Sequence, residues 1–156
     1  MGVAVCCLDM ATDFDLDFKL SAEGWAPPST TAQASMRILR AKNGRQFIGK
    51  YSNSKAKQVQ KTLQMLLAPH RPRQPVDGAL RVEITYRLPY RKTEAKSNLA
   101  NEWMPHDTRP DADNLLKLLL DSMNKVFWND DSQISYLSIY KQRGHDPHIR
   151  IKISKL

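Results

Sequence analysis

The chain has 156 residues, 41% hydrophobic and 26% charged, enough for one domain with its own core and too few for two. That balance argues against a membrane protein or a disordered tail. Lys and Arg number 24 against 16 Asp and Glu, a net charge of +8, which predicts a polyanionic partner. The charge is unevenly spread: residues 1–23 and 101–131 each contribute −4, so the remainder carries +16. The protein reads as a basic body with an acidic block set into it.

The apolar run Val3–Leu8 is short and has no basic flank, so neither a signal peptide nor a membrane span is expected. Met1-Gly2 lacks the Ser/Thr of a myristoylation signal, because Cys6 stands there. Cys6 and Cys7 are adjacent, poor geometry for an unstrained disulfide, and a reducing cytoplasm is the expected location. Residues 1–12 are expected to be poorly ordered.

Phe14, Leu16, Phe18 and Leu20 alternate with Asp13, Asp15, Asp17 and Lys19, the period of a half-buried strand with an acidic wet face. Trp25-Ala-Pro-Pro-Ser breaks any helix and begins an irregular connection to Ala34. Asn43-Gly44 between Ile38-Leu39 and Phe47-Ile48 predicts a hairpin with a type I′ turn. From Ser54, a candidate N-cap, Ala56, Val59, Leu63, Leu66 and Leu67 recur at helical spacing, with Lys57 and Lys61 on a basic face. Pro69, Pro72 and Pro75 end that helix. Leu80, Val82, Ile84 and Tyr86 then alternate with charged and polar residues as a strand. Residues 89–110 show no sustained periodicity, and a polar loop of that length is expected to be functional. A second helix is predicted from Ala112 to Val126, a strand near Gln133 to Lys141, a turn at Gly144 to Pro147, and a last strand through Ile149, Ile151 and Ile153. The expected fold is a single α+β domain over 1–156, a small mixed sheet joined mostly by hairpins and packed with two main helices.

On the second helix Asp113, Asn114, Lys117, Asp121, Asn124 and Lys125 share one arc. Ala112, Leu115, Leu116, Leu119, Leu120, Met123 and Val126 form the core face, with Leu118 near the border. An ordinary reading makes Asp111 the N-cap, Asp113 and Lys117 an i,i+4 ion pair, and Asp130-Asp131 turn formers. The alternative is convergence. A helix of about 15 residues is roughly 22 Å long, so Asp131 reaches the helix start only if the chain leads back along it or the next strand runs toward Asp111. Three carboxylates meeting beside a lysine would need a cation among them. Oxygen-only ligands favour Mg²⁺, or Mn²⁺ in its place, and such an ion activates water for phosphodiester hydrolysis.

Arg109-Pro-Asp-Ala-Asp-Asn-Leu-Leu-Lys117, Leu119-Leu-Asp-Ser-Met-Asn124 and Trp128-Asn-Asp-Asp-Ser-Gln-Ile134 together resemble the signature of the RusA family of Holliday-junction resolvases, common on phages and prophages. The family pattern runs Pro-Asp-x-Asp-Asn-Leu-x-Lys, a helix, then Asp-Asp-x-Gln. The resemblance implies that Asp111, Asp113 and Asp131 ligate Mg²⁺ and that Lys117 is the catalytic lysine, and it leaves open the role of Asp130, the neighbour of Asp131. It also implies a homodimer that cuts four-way DNA junctions symmetrically, two sites on a two-fold substrate. Arg109, Lys117, Lys57, Lys61, Arg91 and Lys92 are the expected DNA contacts; no organic cofactor and no membrane partner is expected. Two other readings are a non-catalytic junction- or duplex-binding protein, and a restriction-like metal nuclease. The second is disfavoured because Ser132-Gln133-Ile134, not an acidic-x-Lys pairing, follows Asp131.

Overall fold

The computed structural model describes residues 14–22, 26–28, 35–51 and 54–156. The expectations for residues 1–12, the cysteine pair, Trp25 and residues 29–34 lie outside the described residues. Strands β1 (Asp15–Leu20), β2 (Ser35–Arg40) and β3 (Gln46–Tyr51) precede helix α1 (Ser54–Leu67). Strand β4 (Leu80–Pro89), the short helix α2 (Lys96–Leu99) and strand β5 (Trp103–Pro105) lead to helix α3 (Ala112–Met123). Strands β6 (Ile134–Gly144) and β7 (His148–Lys155) finish the chain.

Five strands form one mixed sheet in the order β1-β7-β4-β6-β5, and β2-β3 form a separate two-stranded sheet. On β4 the period-two pattern is fully expressed: Leu80, Val82, Ile84, Tyr86 and Leu88 are buried, while Arg81, Glu83, Thr85 and Arg87 are not. The apolar face meets Leu63 and Leu67 of α1, Leu115, Leu118, Leu119 and Met123 of α3, and Ile149, Ile151 and Ile153 of β7 in one core. Phe127 and Trp128, which follow α3, are buried in the same core. The result is the predicted α+β arrangement, with two main helices.

The connectivity differs from the expected run of hairpins. Strands β6 and β7 do not pair across the Gly144–Pro147 turn, because β4 lies between them, parallel to β6 and antiparallel to β7. Alternation fixes which way side chains face, not which strand lies alongside. Among the described residues only β2–β3 is a hairpin of consecutive strands, and its turn is not type I′. Gly44 alone has positive φ (80°), Gly44 N–H donates to Ala41 O at 2.9 Å, and Ala41 N–H donates to Arg45 O at 2.9 Å, a longer loop that needs one left-handed residue.

Helix α3 stops three residues before the predicted end, since Asn124 is extended (ψ 139°) and Lys125 has φ 67°. Its buried stripe is also rotated. Leu118 and Asn114 are buried while Leu116 and Leu120 are only partly so and Val126 is exposed, because α3 packs against α1 as well as the sheet. The 89–110 segment is more ordered than its composition suggested. It contains α2 and β5, and Arg143 of β6 fastens it by meeting Asp107 at 3.0 Å and Glu94 at 3.4 Å.

Candidate active site

The start of α3 is held by the strand beneath it. His106 N–H donates to Lys141 O at 3.1 Å, which joins the end of β5 to β6. The Lys141 ammonium donates to Thr108 O at 2.6 Å and Pro110 O at 2.8 Å. The His106 Nε2 lies 3.1 Å from Arg109 O, and Arg91 hydrogen-bonds the Thr108 hydroxyl. Thr108, Arg109 and Pro110, ahead of the helix, are therefore tied by side chains from β6 and from the loop. Burial beside the positive Lys141, Arg143 and Arg91 holds the His106 pKa below the ordinary imidazole value.

Asp111 occupies the N-cap position, and its carbonyl accepts from Leu115 N–H at 3.2 Å, yet its carboxylate makes no capping bond. Asp113 lies in the first turn, and Lys117 follows one turn later. All three side chains are exposed, and among the described residues none has a hydrogen-bond or ion-pair partner. The ordinary reading of these residues, a cap plus an Asp113–Lys117 ion pair, is therefore not what the structure contains. Two carboxylates project from a helix N-terminus without internal work to do.

Asp130 and Asp131 divide differently. Asp130 caps the 3-10 turn Asp131–Gln133: its Oδ1 accepts from Ser132 N–H at 2.9 Å, and Gln133 Oε1 accepts from Asp130 N–H at 2.9 Å. The Ser132 N–H, then Lys125 at 3.7 Å, hold the Asp130 carboxyl below its usual range. Gln133 also donates to Val76 O at 2.9 Å and Gly78 O at 3.1 Å, which bolts the turn to the approach to β4. Asp131 accepts one bond, from the buried Trp128 indole N–H to Oδ1 at 2.7 Å. Its other oxygen has no partner among the described residues.

The three expected ligands do not meet within one chain. Strand β6 does run toward the start of α3, but Asp131 lies just before its first residue while Lys141, near its far end, holds Pro110. From Ile134 to Lys141 the strand advances roughly 23 Å at ~3.3 Å per residue. Among the described residues no group of three or more His, Cys, Asp or Glu side chains could hold a metal ion. Asp111 and Asp113 fit Mg²⁺ as hard oxygen donors that leave positions for water; the chain by itself lacks a third carboxylate beside them.

The bases fall into two sets. Arg91, Lys92 and Arg109 are exposed near the Asp111 segment, linked to it through the Arg91–Thr108 contact. Lys57 and Lys61 are exposed on α1, whose Gln60 reaches Asp121 O of α3 at 3.5 Å. Sequence reasoning missed Lys141, His106 and Arg143 as supports of the site. Lys141 and Arg143 act on backbone carbonyls and carboxylates distant in the chain, which no local pattern reveals, and His106 acts on Arg109 O three residues on.

The chain matches one family model and is similar to two known proteins. The family model described as Endodeoxyribonuclease RusA matches residues 27–154, a span that holds Asp111, Asp113, Lys117 and Asp131. The protein YqaN of Bacillus subtilis (strain 168), which carries the description uncharacterized, is 24% identical over 108 residues, 66% of this chain and 76% of its own length. The crossover junction endodeoxyribonuclease rusA of Lactococcus phage r1t is 40% identical over 55 residues, 35% of this chain and 42% of its own length.

Proposed function

Because the chain belongs to the RusA endodeoxyribonuclease family, we propose that it is a Mg²⁺-dependent endonuclease that resolves four-way DNA junctions by paired, symmetric phosphodiester cleavage. The observation that carries this reading is the pair of unpartnered carboxylates, Asp111 and Asp113, on a helix start that Lys141 and His106 hold in place. The similarity to a phage protein named as a crossover junction endodeoxyribonuclease supports the substrate class.

In this reading Asp111, Asp113 and an Asp131 carboxylate bind the ion, with Mn²⁺ able to replace it. When bound, Mg²⁺ lowers the pKa of a coordinated water and neutralises charge on the phosphate. Lys117, one turn beyond Asp113, offers its ammonium to the same phosphate. Arg91, Lys92 and Arg109 hold the backbone beside the cut, and Lys57 and Lys61 hold a neighbouring arm. Trp128 fixes the Asp131 carboxylate through its indole N–H. The work is done in a bacterial cytoplasm on cellular or phage DNA. Among the described residues no helix is long and apolar enough to cross a membrane.

The test is cleavage of a synthetic four-way junction with Mg²⁺, beside linear duplex and flap controls. Wild type is expected to cut the junction, and Asp113→Asn to bind it without cutting. A wild type that binds junctions and never cuts leaves the non-catalytic binding protein as the correct reading, and an Asp113→Asn that cuts at the wild-type rate overturns the assignment of the site.

A further inference from the structure

The hairpin β2–β3 stands apart from the rest of the molecule. It forms its own two-stranded sheet, and none of its described side chains belongs to the hydrophobic core. Ile38 pairs with Ile48, and Leu39 pairs with Phe47. Successive strand residues face opposite sides, so one face of the ribbon presents the two isoleucines and the other presents Leu39 and Phe47. All four are exposed, Ile38 and Ile48 at 71%, Phe47 at 52% and Leu39 at 45%. A lone two-stranded ribbon is marginally stable in water. One with bulky apolar side chains on both faces gains its burial only when something covers both.

Charge selects the occupant. From residue 35 to residue 61, through the hairpin and into α1, the chain has eight Lys and Arg and no Asp or Glu. Arg40, Lys42 and Arg45 are exposed at and beside the turn. A second copy of the hairpin would bring the same uncompensated charge to the contact, whereas DNA brings phosphates. The apolar and cationic side chains share one ribbon, so the partner has to offer flat apolar surface close to its anionic backbone. In continuous duplex each base pair is covered by its neighbours, and exposing its face costs unstacking energy. At the branch of a four-way junction the stack is already interrupted, and that cost has been met.

We infer that β2–β3 is the element by which this protein tells a DNA branch from continuous duplex. Leu39 and Phe47 on one face, and Ile38 and Ile48 on the other, lie against the base pairs that flank the branch point. Arg40, Lys42 and Arg45 hold the phosphates of the strands that cross there. Strand β3 ends at Tyr51 and α1 begins at Ser54, so the basic run continues from the branch to Lys57 and Lys61, which hold an arm. The inference rests on the proposed junction substrate and adds to it the residues that select it. Cutting belongs to other residues, so selection can be measured without it.

The test compares binding to a four-way junction and to a linear duplex in EDTA, where no strand is cut. Leu39→Ser/Phe47→Ser is expected to lose about 5- to 150-fold in junction affinity, the range for removing side chains that stack on bases, and to keep its duplex affinity. Phe47→Trp, which keeps a flat ring, is expected to keep the junction preference. Equal losses for junction and duplex, or no loss, overturn the inference. So does a double variant that sediments as a smaller species than wild type, which makes a second copy the occupant. A measurement on the unaltered protein does not depend on how the variants fold. 2-Aminopurine at the branch is expected to change its fluorescence when wild type binds, and the same probe within an arm is expected not to; equal responses, or none at the branch, overturn the inference. A wild type that prefers junctions in EDTA and never cuts with Mg²⁺ ends the nuclease reading and leaves this one standing. A wild type that cuts junctions while the double variant keeps full junction preference ends this one alone.

Discussion

The Lys141 ammonium lies 2.8 Å from Pro110 O and 2.6 Å from Thr108 O, so one side chain of β6 sets where α3 begins. The i,i+4 geometry of the helix then sets Asp113 and Lys117. Replacing Lys141 by Met keeps the stem and removes both bonds. Charge-assisted bonds of this kind contribute about 1.5–3 kcal/mol each when well buried, and these are partly exposed, so the loss of stability is expected to be smaller. The loss of activity is expected to be larger, because a displacement of about 1 Å at a reacting centre can cost ~100-fold. Junction cleavage by Lys141→Met should fall at least tenfold with duplex binding nearly intact; equal losses of both would show that Lys141 acts as a DNA contact instead.

Three aspartates of α3 and its cap offer an internal control. Asp111→Asn and Asp113→Asn are expected to abolish cutting and to strengthen DNA binding, since each removes a negative charge facing phosphate. Asp121→Asn, exposed two turns further on, is expected to leave both unchanged. The first two changes also remove a favourable charge from a helix N-terminus, worth about 0.3–1 kcal/mol, so their melting temperatures should fall only slightly. Titration calorimetry with Mg²⁺ completes the comparison: binding should persist in Asp121→Asn and vanish in Asp113→Asn.

Acid should destabilise the fold in two separate windows. His106 and His148 have folded pKa values lowered from 6.5, chiefly by burial. The unfolded chain then takes up protons first, so their contribution is complete above about pH 6.5 and lost as pH falls through the folded values. Asp17, Asp107 and Asp146 are lowered from 3.8, chiefly by Arg150, Arg143 and Lys19 respectively. Their contribution is intact above about pH 4 and disappears only below it. A plot of melting temperature against pH should therefore decline twice. The double change His106→Gln/His148→Gln should remove the upper decline and spare the lower one.

Gly144 ends β6 where β5 passes close. A Cβ there would lie 2.6 Å from Glu102 O and 3.1 Å from both Arg87 Cδ and Trp103 Cβ. Glu102 O is backbone and already accepts His145 N–H at 3.2 Å, so it has little freedom to move. Gly144→Ala should cost about 1–3 kcal/mol, as overpacked positions do, read as a lowered unfolding midpoint in urea. An unchanged midpoint would mean that β5 lifts off the edge without penalty.

Much of this arrangement is legible in the amino-acid order and some is not. Helix α1 starts at Ser54 and stops at Leu67 ahead of Pro69, as periodicity and proline require. Strand β4 and the cap position of Asp111 follow from equally local signals. The insertion of β4 between β6 and β7 does not, because alternation is blind to neighbours. The ordering of residues 89–110 depends on Arg143 finding Glu94 and Asp107, pairs 49 and 36 positions apart. For the site, the residue types and spacing of Asp111, Asp113 and Lys117 stood out in the sequence. The distance from them to Asp131 did not, because it is set by the direction of β6.

Strand β1 lies outside the 27–154 span that the family model matches, yet it pairs with β7 along its whole length from Asp15 to Leu20. It supplies Phe18, which stacks on His70 at 4.5 Å and on Phe127 at 5.7 Å. A chain trimmed to the matched span would uncover β7 and leave an open border lined by Ile149, Ile151 and Ile153. An uncovered apolar strand of this kind is a template for pairing with another chain. Strand β1 thus acts as a terminator of the sheet, covering the β7 edge with a strand whose outward residues are charged.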